Sequence, residues 1–302
     1  MKILVLGASG FIANLFIQRL VKDNHSVIAL SRQPIPSHLI PCASLEWMQF
    51  DISNDNLGFL DLPKIDVVFH LAGRTSGASD DEDNFLLANE RTTVRLCKLL
   101  ANKANRYIFA SSQSVYGDAN SLAVTENFPL KPDFSSYACS KVNSENWVRL
   151  FQKRSGINCI ILRFCGFIEG GGIIDYLIDH ALANKRIELF SNGEVLRDYI
   201  TINDVITVLN HALDYSRKHE FLPINIGSGQ LVSSYDLAKI ICHEVNSSSE
   251  IKFLPNIGPQ GNFIFCIDRA KEELNFQPSD LIESVRHYAK IKLNNGKFYE
   301  KN

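Results

Sequence analysis

Short apolar runs alternate, along the first half of the chain, with longer segments whose apolar residues recur at helical spacing. Five of these runs have the length and composition of β-strands: residues 2–6, 27–30, 67–71, 107–110 and 159–163. The amphipathic segments between them cover residues 11–21, 84–101 and 137–153. Strands that alternate with helices of this length predict βαβ units, in which a parallel sheet carries helices on both faces. The predicted fold class is therefore α/β, with a doubly wound parallel sheet of seven strands built from about residues 1–165 and parts of 200–228.

The pattern becomes less regular after about residue 165, beginning with the predicted turn at Gly170, Gly171 and Gly172. Shorter helix and strand patterns follow at residues 174–183, 186–190, 200–213, 224–226, 236–244 and 268–274. We therefore predict a larger domain and a smaller α+β domain, with a ligand between them at the carboxyl ends of the strands. The larger domain takes residues 1–165 with parts of 200–228, and the smaller one takes 166–199 and 229–302. The polar residues 294–302 are predicted to fray.

Composition excludes several classes of protein. The 302 residues are 45% hydrophobic and 21% charged, which is typical of a soluble globular protein. Basic and acidic residues nearly balance, at 31 and 33, without a basic block, so we expect neither nucleic acid nor a membrane as a partner. No apolar run reaches the length of about 18 residues that a membrane span needs.

Neither the cysteines nor the acidic residues indicate a disulfide framework or a metal site. The seven cysteines are scattered, and their spacing suits neither a disulfide framework nor a zinc site. The acidic run at residues 80–83 is interpreted as a solvated loop before a helix, where it complements the helix dipole. Residues 1–9 are predicted strand and turn rather than a signal peptide, so we expect a cytoplasmic protein.

A glycine loop at the first strand–helix junction predicts a cofactor site. Gly7 and Gly10 allow a tight turn, and the small Ala13 allows close packing of the helix on the strand. The backbone there can approach a phosphate at the helix N-terminus, as in Rossmann-type dinucleotide-binding domains. We assign this role to the larger domain; the alternative is a plain strand–helix turn. The loop residues predicted to bind the cofactor are Gly7, Ser9, Gly10, Phe11 and Ile12.

The end of the second strand predicts which dinucleotide binds. An acidic residue there would hold a ribose 2′-hydroxyl, whereas an arginine accommodates a 2′-phosphate. This chain has Ser31 and Arg32, and no acidic residue until Glu46. We therefore predict a preference for NADP(H), with NAD(H) as the other possibility. Alternatively, Arg32 is a solvated surface charge.

A tyrosine and a lysine four residues apart carry the predicted chemistry. Tyr137 and Lys141 share one helix face, and an ammonium beside a phenol is expected to lower the pKa of the phenol. The hydroxyl of Ser112, at the end of an earlier strand, can hold the oxygen that Tyr137 protonates or deprotonates. These residues can act as a general acid–base group for interconverting an alcohol and a ketone. That interconversion also requires a hydride carrier.

In their order and spacing, these motifs resemble the extended short-chain dehydrogenase/reductase family of nucleotide-sugar epimerases, dehydratases and ketoreductases. The resemblance covers nearly the whole chain, including residues 66–73 (DVVFHLAG), 111–117 (SSQSVYG), 197–200 (RDYI) and 225–229 (NIGSG). It implies that Ser112, Tyr137 and Lys141 are catalytic, and that Gln113, Ser114 and Arg197 bind substrate. The further cofactor contacts that it implies are Asp51, Ile52, Leu71, Ala72, Gly73, Asn89, Tyr137 and Lys141.

Departures from the family's pattern reduce the number of reactions and substrates to be expected. The dehydratases carry Asp-Glu where this chain has Gln113 and Ser114, so 4,6-dehydration is not expected. An asparagine that usually follows the Leu-Arg strand is replaced by Cys165, and a later diphosphate-binding asparagine is missing from residues 171–174. These differences weaken the case for a nucleoside-diphosphate substrate, although Arg163 and Arg197 can still supply positive charge.

Several functions stay open on the sequence alone. The first is NADPH-dependent reduction of a 4-keto-deoxysugar nucleotide, and the second is NAD-dependent C4 epimerisation of a nucleotide sugar. Others are a reductase or dehydrogenase of another substrate, and a non-catalytic protein that senses NADP(H). The two long amphipathic helices, 84–101 and 137–153, predict a homodimer with a four-helix interface.

Overall fold

The computed structural model describes residues 1–37, 39, 42–75, 81–132, 135–215, 221–254 and 261–299, with the backbone alone for residues 295–299. Asp80, in the acidic run, lies outside these residues. The strands are β1 (Lys2–Leu6), β2 (Ser26–Ser31), β3 (Leu45–Gln49), β4 (Ile65–His70), β5 (Ala104–Ser112), β6 (Ser121–Val124), β7 (Asn158–Phe164), β8 (Gly166–Phe167), β9 (Ile187–Phe190), β10 (Leu196–Arg197), β11 (Tyr199–Ile200), β12 (Phe221–Ile226), β13 (Val232–Ser233), β14 (Ile251–Leu254) and β15 (Phe263–Phe265). The α-helices are α1 (Phe11–Lys22), α2 (Glu82–Phe85), α3 (Thr92–Leu99), α4 (Ser136–Ser155), α5 (Ile173–Leu182), α6 (Ile202–Asp214), α7 (Ser234–Glu244), α8 (Asp268–Leu274) and α9 (Leu281–Tyr299).

Seven strands form the central sheet, in the order β12-β7-β5-β4-β1-β2-β3. The pairings of β1 with β2 and β4, of β2 with β3, and of β5 with β4 and β7 are parallel. This confirms the predicted α/β class and the seven-stranded sheet. The chain builds one side of the sheet from β1 to β3 and the other side from β4 onward. The switch point between β1 and β4 is where open α/β sheets bind ligands.

A hydrophobic core lies against the central sheet, because its strands carry long runs of buried residues. Leu4, Ile28 and Val68 are among the fully or nearly fully buried members of one cluster. Phe16 of α1 packs edge-on against Phe69 of β4, with ring centroids 4.6 Å apart. Burial on this scale holds the carboxyl ends of β1, β2 and β4 at one edge.

The chain divides into two compact units. The first contains 1–117, 129–164 and 208–224; the second contains 118–128, 165–207 and 225–302. Residues 118–128 belong to the second unit, whereas the predicted boundary placed them in the first. The reason is that β6 pairs with β15, a strand far along the chain. The assignment of cofactor to one unit and substrate to the other stays a prediction.

The second unit has its own sheets and its own core. Its four-stranded sheet has the order β13-β10-β15-β6, and β8 pairs with β11 and β9 with β14. Helices α5, α7 and α9 contribute a buried apolar cluster that includes Leu177, Leu237 and Val285. This is the α+β composition that the second half of the sequence predicts.

Three local expectations differ from the structure. The edge strand β3 was not predicted, because only Leu45 of its five residues is buried. The segment 84–101 is helical but not one α-helix, since a π-helical stretch at Leu86–Arg91 separates α2 from α3. Residues 294–299, expected to fray, continue α9 to Tyr299.

Candidate active site

The loop after β1 is packed tightly against the loop after β4. Gly7 has φ +85°, and a Cβ atom on it would lie 2.6 Å from both the Cα and the N of Ala72. The backbone N–H groups of Gly7 and Ala8 both donate to the carbonyl of Leu30, at 3.0 and 3.2 Å. Only glycine combines this backbone conformation with this close approach. Three loops, from β1, β2 and β4, therefore meet at the switch point.

The N-terminus of α1 opens at the same place. Its cap residue is Gly10, no side chain caps it, and its first turn has no acidic residue. Asn14 fixes the loop instead, since its Nδ2 donates to the carbonyls of Ala8 and Gly10, at 2.9 and 3.0 Å. The backbone N–H groups of the first turn and the positive end of the helix dipole are thus available to an anion. Asn14 was not singled out from the sequence; its position four residues after Gly10 was the available signal.

The end of β2 presents a hydroxyl and a guanidinium. Ser31 is buried, and its Oγ donates to Ser9 Oγ at 2.9 Å, whereas Arg32 is exposed. Burial acts to raise the pKa of Asp51, but hydrogen bonds from Ser53 and Asn54 and the charge of Arg32 bring that pKa below its usual range. Asp51 therefore stays ionised while its oxygens are engaged in its own turn.

These groups line one cleft in the first unit. Most of the predicted cofactor residues line it: Gly7, Ser9, Gly10, Ser31, Arg32, Asp51, Ile52, Leu71, Ala72 and Gly73. The other predicted cofactor residues, Phe11, Ile12, Asn89, Tyr137 and Lys141, are not part of its lining. Arg74 also lines the cleft with an exposed side chain, although no motif in the sequence marks this residue.

Asn89 has a supporting position within the π-helical stretch. Its Oδ1 accepts from the backbone N–H of Arg74 at 2.8 Å. Its Nδ2 donates to the carbonyl of Arg74 at 3.2 Å and to Ser140 Oγ at 2.7 Å. Asn89 therefore connects the loop after β4 to helix α4, and π-helical insertions of this kind are frequent at functional sites.

The structure brings Ser112, Tyr137 and Lys141 together within the first unit. Ser112 ends β5, and Tyr137 and Lys141 lie on the first turns of α4, whose N-cap is Ser135. Tyr137 is hydrogen-bonded to Ser112. The Nζ of Lys141 donates to the carbonyl of Ala110 at 2.9 Å and lies 6.0 Å from the centroid of the Tyr137 ring.

The two ionisable groups differ from the sequence-based expectation. Burial raises the pKa of Tyr137, and the hydrogen bond with Ser112 only partly opposes this. The expected lowering by Lys141 is not found, because the ammonium is directed to Ala110. Burial also lowers the pKa of Lys141 to about 8, although the negative charge of Glu145 acts to raise it. The phenol therefore keeps its proton at neutral pH, and the amine titrates just above it.

Gln113 and Ser114 follow directly in a short 3₁₀ turn. Ser114 Oγ donates to Ser112 Oγ at 3.1 Å, so it orients that hydroxyl. The Oε1 of Gln113 is buried and makes no hydrogen bond with the described residues. An unpaired buried acceptor is uncommon, because its desolvation is not offset by a hydrogen bond.

Arg197 lies in the second unit, on β10. Its Nη1 donates to the carbonyls of Leu196 and Gly261, at 2.9 and 2.5 Å, and burial lowers its pKa. Its neighbour Asp198 is buried and accepts from the N–H and Oγ of Ser228, at 2.9 and 2.6 Å. Arg197 is thus anchored to the backbone of its own unit, and its role in substrate binding stays a prediction.

The residues of the cleft fit a nicotinamide dinucleotide. The uncapped N-terminus of α1 and the closely packed loops at Gly7 and Ala72 suit a diphosphate that contacts backbone N–H groups. Gly73 leaves room beside the active-site amine, since a Cβ atom there would lie 3.0 Å from Lys141 Nζ. The cleft and the Ser–Tyr–Lys group thus lie at adjacent strand ends of one sheet.

Comparison with known proteins agrees with this geometry. A model of the "NAD dependent epimerase/dehydratase family" matches residues 3–227. The chain is 28% identical to a putative UDP-glucose 4-epimerase of Methanocaldococcus jannaschii, over 98% of this chain and 99% of that protein. It is 27% identical to a dTDP-4-dehydro-6-deoxyglucose reductase of Escherichia coli, over 93% and 94% of the two chains. The crystal structure of UDP-glucuronic acid 4-epimerase from Bacillus cereus in complex with NAD superposes with a TM-score of 0.82 and 26% identity, covering 97% and 100%.

Proposed function

We propose a reaction for this chain, which belongs to the NAD dependent epimerase/dehydratase family. The proposed enzyme uses a nicotinamide cofactor and reduces a 4-keto-deoxysugar nucleotide with NADPH. The observation that carries this proposal is the group of Ser112, Tyr137 and Lys141, in which the Tyr137 phenol is hydrogen-bonded to Ser112 and has a raised pKa. A phenol that keeps its proton is equipped to donate it to the oxygen of a ketone. This is the direction of proton transfer that a reduction needs.

Each residue of the Ser–Tyr–Lys group has its own role in the proposed reduction. The nicotinamide, when bound, supplies a hydride to the carbonyl carbon. Ser112 Oγ would hydrogen-bond the carbonyl oxygen, and Tyr137 would donate its Oη proton to the same oxygen, so that the ketone becomes an alcohol. Lys141, as an ammonium, would bind the ribose of the nicotinamide, and this contact would hold its positive charge near the phenolate as it forms. Water would restore the proton of Tyr137 after each turnover.

The preference for NADP(H) rests on the end of β2. Ser31 and Arg32 stand where an acidic residue would hold a ribose 2′-hydroxyl, and Arg32 lines the cleft. An exposed guanidinium there favours a 2′-phosphate through charge-assisted hydrogen bonds. Asp51, the nearby carboxylate, is engaged in its own turn.

A C4 epimerase that uses NAD is the second candidate. Two of the similar proteins are named as 4-epimerases, and one of these is in complex with NAD. An epimerase oxidises and re-reduces one carbon in the same site, so Tyr137 would act first as base and then as acid. It would consume no cofactor, whereas a reductase consumes one NADPH per turnover.

The substrate is proposed to be a nucleotide sugar. The similar proteins named above act on UDP- or dTDP-linked sugars by their names. On this chain, Gln113 and Ser114 lie beside Ser112, and the buried Oε1 of Gln113 would accept a hydrogen bond from a sugar hydroxyl. Arg197 would contribute positive charge to the phosphate groups.

The protein is also proposed to be a cytoplasmic homodimer. The helical segment of α2 and α3 packs on α4, and Leu86 of that segment and Trp147 of α4 are 52% and 42% exposed. Two such faces would bury these side chains in a four-helix interface. All seven cysteines are free thiols, which suits a reducing compartment. No helix in the described part of the chain has the length and hydropathy to cross a membrane.

Two assays separate the candidates. Purified protein is given dTDP-4-dehydro-6-deoxyglucose with NADPH, and loss of absorbance at the nicotinamide band is followed together with product formation. In a parallel assay, UDP-glucose and NAD are examined for UDP-galactose. We expect stoichiometric NADPH oxidation in the first assay and no product in the second. UDP-galactose without net oxidation of cofactor would instead establish the epimerase.

A further inference from the structure

A buried ion pair lies directly behind the Ser–Tyr–Lys group. Glu145 of α4 and Arg163 of β7 have side chains that are only 3% and 2% exposed. Arg163 Nη2 lies 2.6 Å from Glu145 Oε2, and Arg163 Nε lies 3.0 Å from Glu145 Oε1. This two-point geometry is the strongest form of a carboxylate–guanidinium contact. Two charges this deeply buried require such a partner, because each alone is costly to remove from water.

The pair also contacts the strand that carries Ser112. Ser111 Oγ donates to Glu145 Oε1 at 2.6 Å, and Ser111 is the residue immediately before Ser112 on β5. Arg163 Nη1 donates to the hydroxyl of Tyr116 at 2.7 Å, in the turn that follows Ser112. The network therefore joins β5, β7 and the turn after Ser112 to helix α4.

On α4 itself, the carboxylate shares a face with the catalytic groups. Tyr137, Lys141 and Glu145 are spaced four residues apart, so they lie one above another. Lys141 is buried, and the titratable groups that face it are Glu145 and Tyr137 on α4 and His70 on β4. Burial, helped by the charge of Lys141, lowers the pKa of His70 to about 3, so this histidine is neutral. Among these groups, Glu145 is the source of negative charge.

We propose that Glu145 and Arg163 form a positioning pair for the reaction: they hold the Lys141 face of α4 against β5 and β7, and Glu145 supplies the negative charge that keeps Lys141 an ammonium. Arg163 in turn holds the Glu145 carboxylate in place through two hydrogen bonds. The inference deepens the proposed function, since it concerns the same Ser112–Tyr137–Lys141 site. Neither residue touches the reacting atoms; both act through Lys141 and Ser112.

Glu145→Gln tests the electrostatic half of the proposal. The amide keeps the shape of the side chain but removes its charge, so the Lys141 ammonium loses its stabilising neighbour. We expect the alkaline limb of kcat/KM against pH to move to lower pH by roughly one unit. Ser111→Ala is the matched control within the network, because it removes one hydrogen bond and no charge. It should lower the melting temperature without moving this limb. Glu46→Gln, on the exposed side of β3, controls for net charge.

A measurement without substrate separates this inference from the proposed function. Lysine labelled with ¹³C at Cε is titrated by NMR in the whole protein, and the Lys141 signal is assigned from its loss in Lys141→Arg. We expect its midpoint to fall in Glu145→Gln and to stay in the two controls. An inactive wild-type protein with this shift would overturn the reductase and leave the positioning pair intact.

A second variant covers the case in which Glu145→Gln does not fold. Glu145→Met combined with Arg163→Met replaces the whole pair with apolar side chains, an exchange that buried ion pairs often tolerate. It removes the attraction of Glu145 and the repulsion of Arg163 together, so the Lys141 midpoint should fall by less than in Glu145→Gln. A folded variant of either kind whose Lys141 titration and alkaline limb match the wild type would overturn the proposal.

Discussion

At the scale of single residues, burial determines how the candidate active site can work. Lys141 is buried and Tyr137 is half-buried, and loss of solvation disfavours the charged form of each. The phenol therefore holds its proton more firmly, while the ammonium loses its proton more easily. The sequence showed that these two side chains share a helix face, but it could not show where the ammonium points. Its contact with the Ala110 carbonyl was visible only in the structure.

The pH dependence of the reaction should follow Lys141. The pKa of its amine is lowered to about 8, so the ammonium is complete at pH 6–7 and lost as the pH rises through 8. Tyr137, with a raised pKa, stays protonated over this range. We therefore expect kcat/KM to be level below about pH 7 and to fall as the pH rises through 8. Lys141→Arg, which keeps its charge, should abolish this fall; a fall that persists in this variant would assign it to another group.

Removal of the phenol hydroxyl should abolish the chemistry and spare binding. Tyr137→Phe loses the proton donor, and we expect kcat to fall by about 10²–10⁴-fold. Cofactor affinity, measured by fluorescence titration, should change little, because phenylalanine keeps the aromatic ring and removes a single hydroxyl. Tyr235→Phe, on the exposed surface of the second unit, is the control. Full function in Tyr137→Phe would instead support a protein that senses NADP(H) without catalysis.

Reversal of charge at Arg32 should reverse the choice of dinucleotide. Arg32→Asp removes the partner of the 2′-phosphate and supplies an acceptor for a 2′-hydroxyl. We expect NADPH affinity to drop by about 10- to 100-fold, the range for a hydrogen bond to a charged group, and NADH affinity to rise. Lys64→Asp, just before β4 and at the amino end of the sheet, is the matched control. Unchanged selectivity in Arg32→Asp would make Arg32 a solvated surface charge.

At the scale of elements, the loops after β1 and β4 shape the cofactor cleft. Gly7→Ala would place a Cβ atom 2.6 Å from the Ala72 backbone in a left-handed conformation. We expect a loss of about 3 kcal/mol or more in the free energy of unfolding and weak cofactor binding. Gly156→Ala is the matched control, since Gly156 has φ +70° but open space around it. It should cost about 1–2 kcal/mol in urea unfolding; equal losses would show that the close approach to Ala72 is unimportant.

The sequence predicts elements well where burial and periodicity agree. Strand β1 and helix α8 have the predicted bounds, because apolar runs and helical spacing mark them directly. Strand β3 could not be predicted, because it lies at the sheet edge and its apolar and polar residues alternate too weakly. The π-helical stretch at Leu86–Arg91 was also invisible, since one wide turn scarcely alters the apolar spacing. Its consequence, the Asn89 contacts to Arg74 and Ser140, depends on the three-dimensional structure.

At the scale of the whole molecule, pairings between distant segments decide the organisation. Residues 118–128 join the second unit through the contact of β6 with β15, and no local pattern in the sequence indicates that pairing. The central sheet, by contrast, follows from alternating strands and helices with right-handed crossovers. The Ser112–Tyr137–Lys141 group was found from the sequence because its members have recognisable spacing. The Glu145–Arg163 pair has no such local signature.

The proposed homodimer can be tested by its mass in solution. Light scattering should report twice the chain mass of 34.0 kDa for the wild type. Leu86→Glu combined with Trp147→Glu places charges on the exposed face of the helical pair, so we expect monomers with an unchanged circular dichroism spectrum. Leu122→Glu, equally exposed but in the second unit, should remain dimeric. A wild-type mass of 34.0 kDa would contradict the homodimer.

The central claim, an NADPH-dependent reductase, is tested most directly by cofactor exchange. Any bound cofactor is first released from the purified protein and identified, and the protein is then titrated with NADPH and NADH by fluorescence. We predict tight, exchangeable binding that favours NADPH, as the site at Ser31 and Arg32 indicates. Retained NAD, released only on denaturation, would contradict this account and favour the NAD-dependent epimerase.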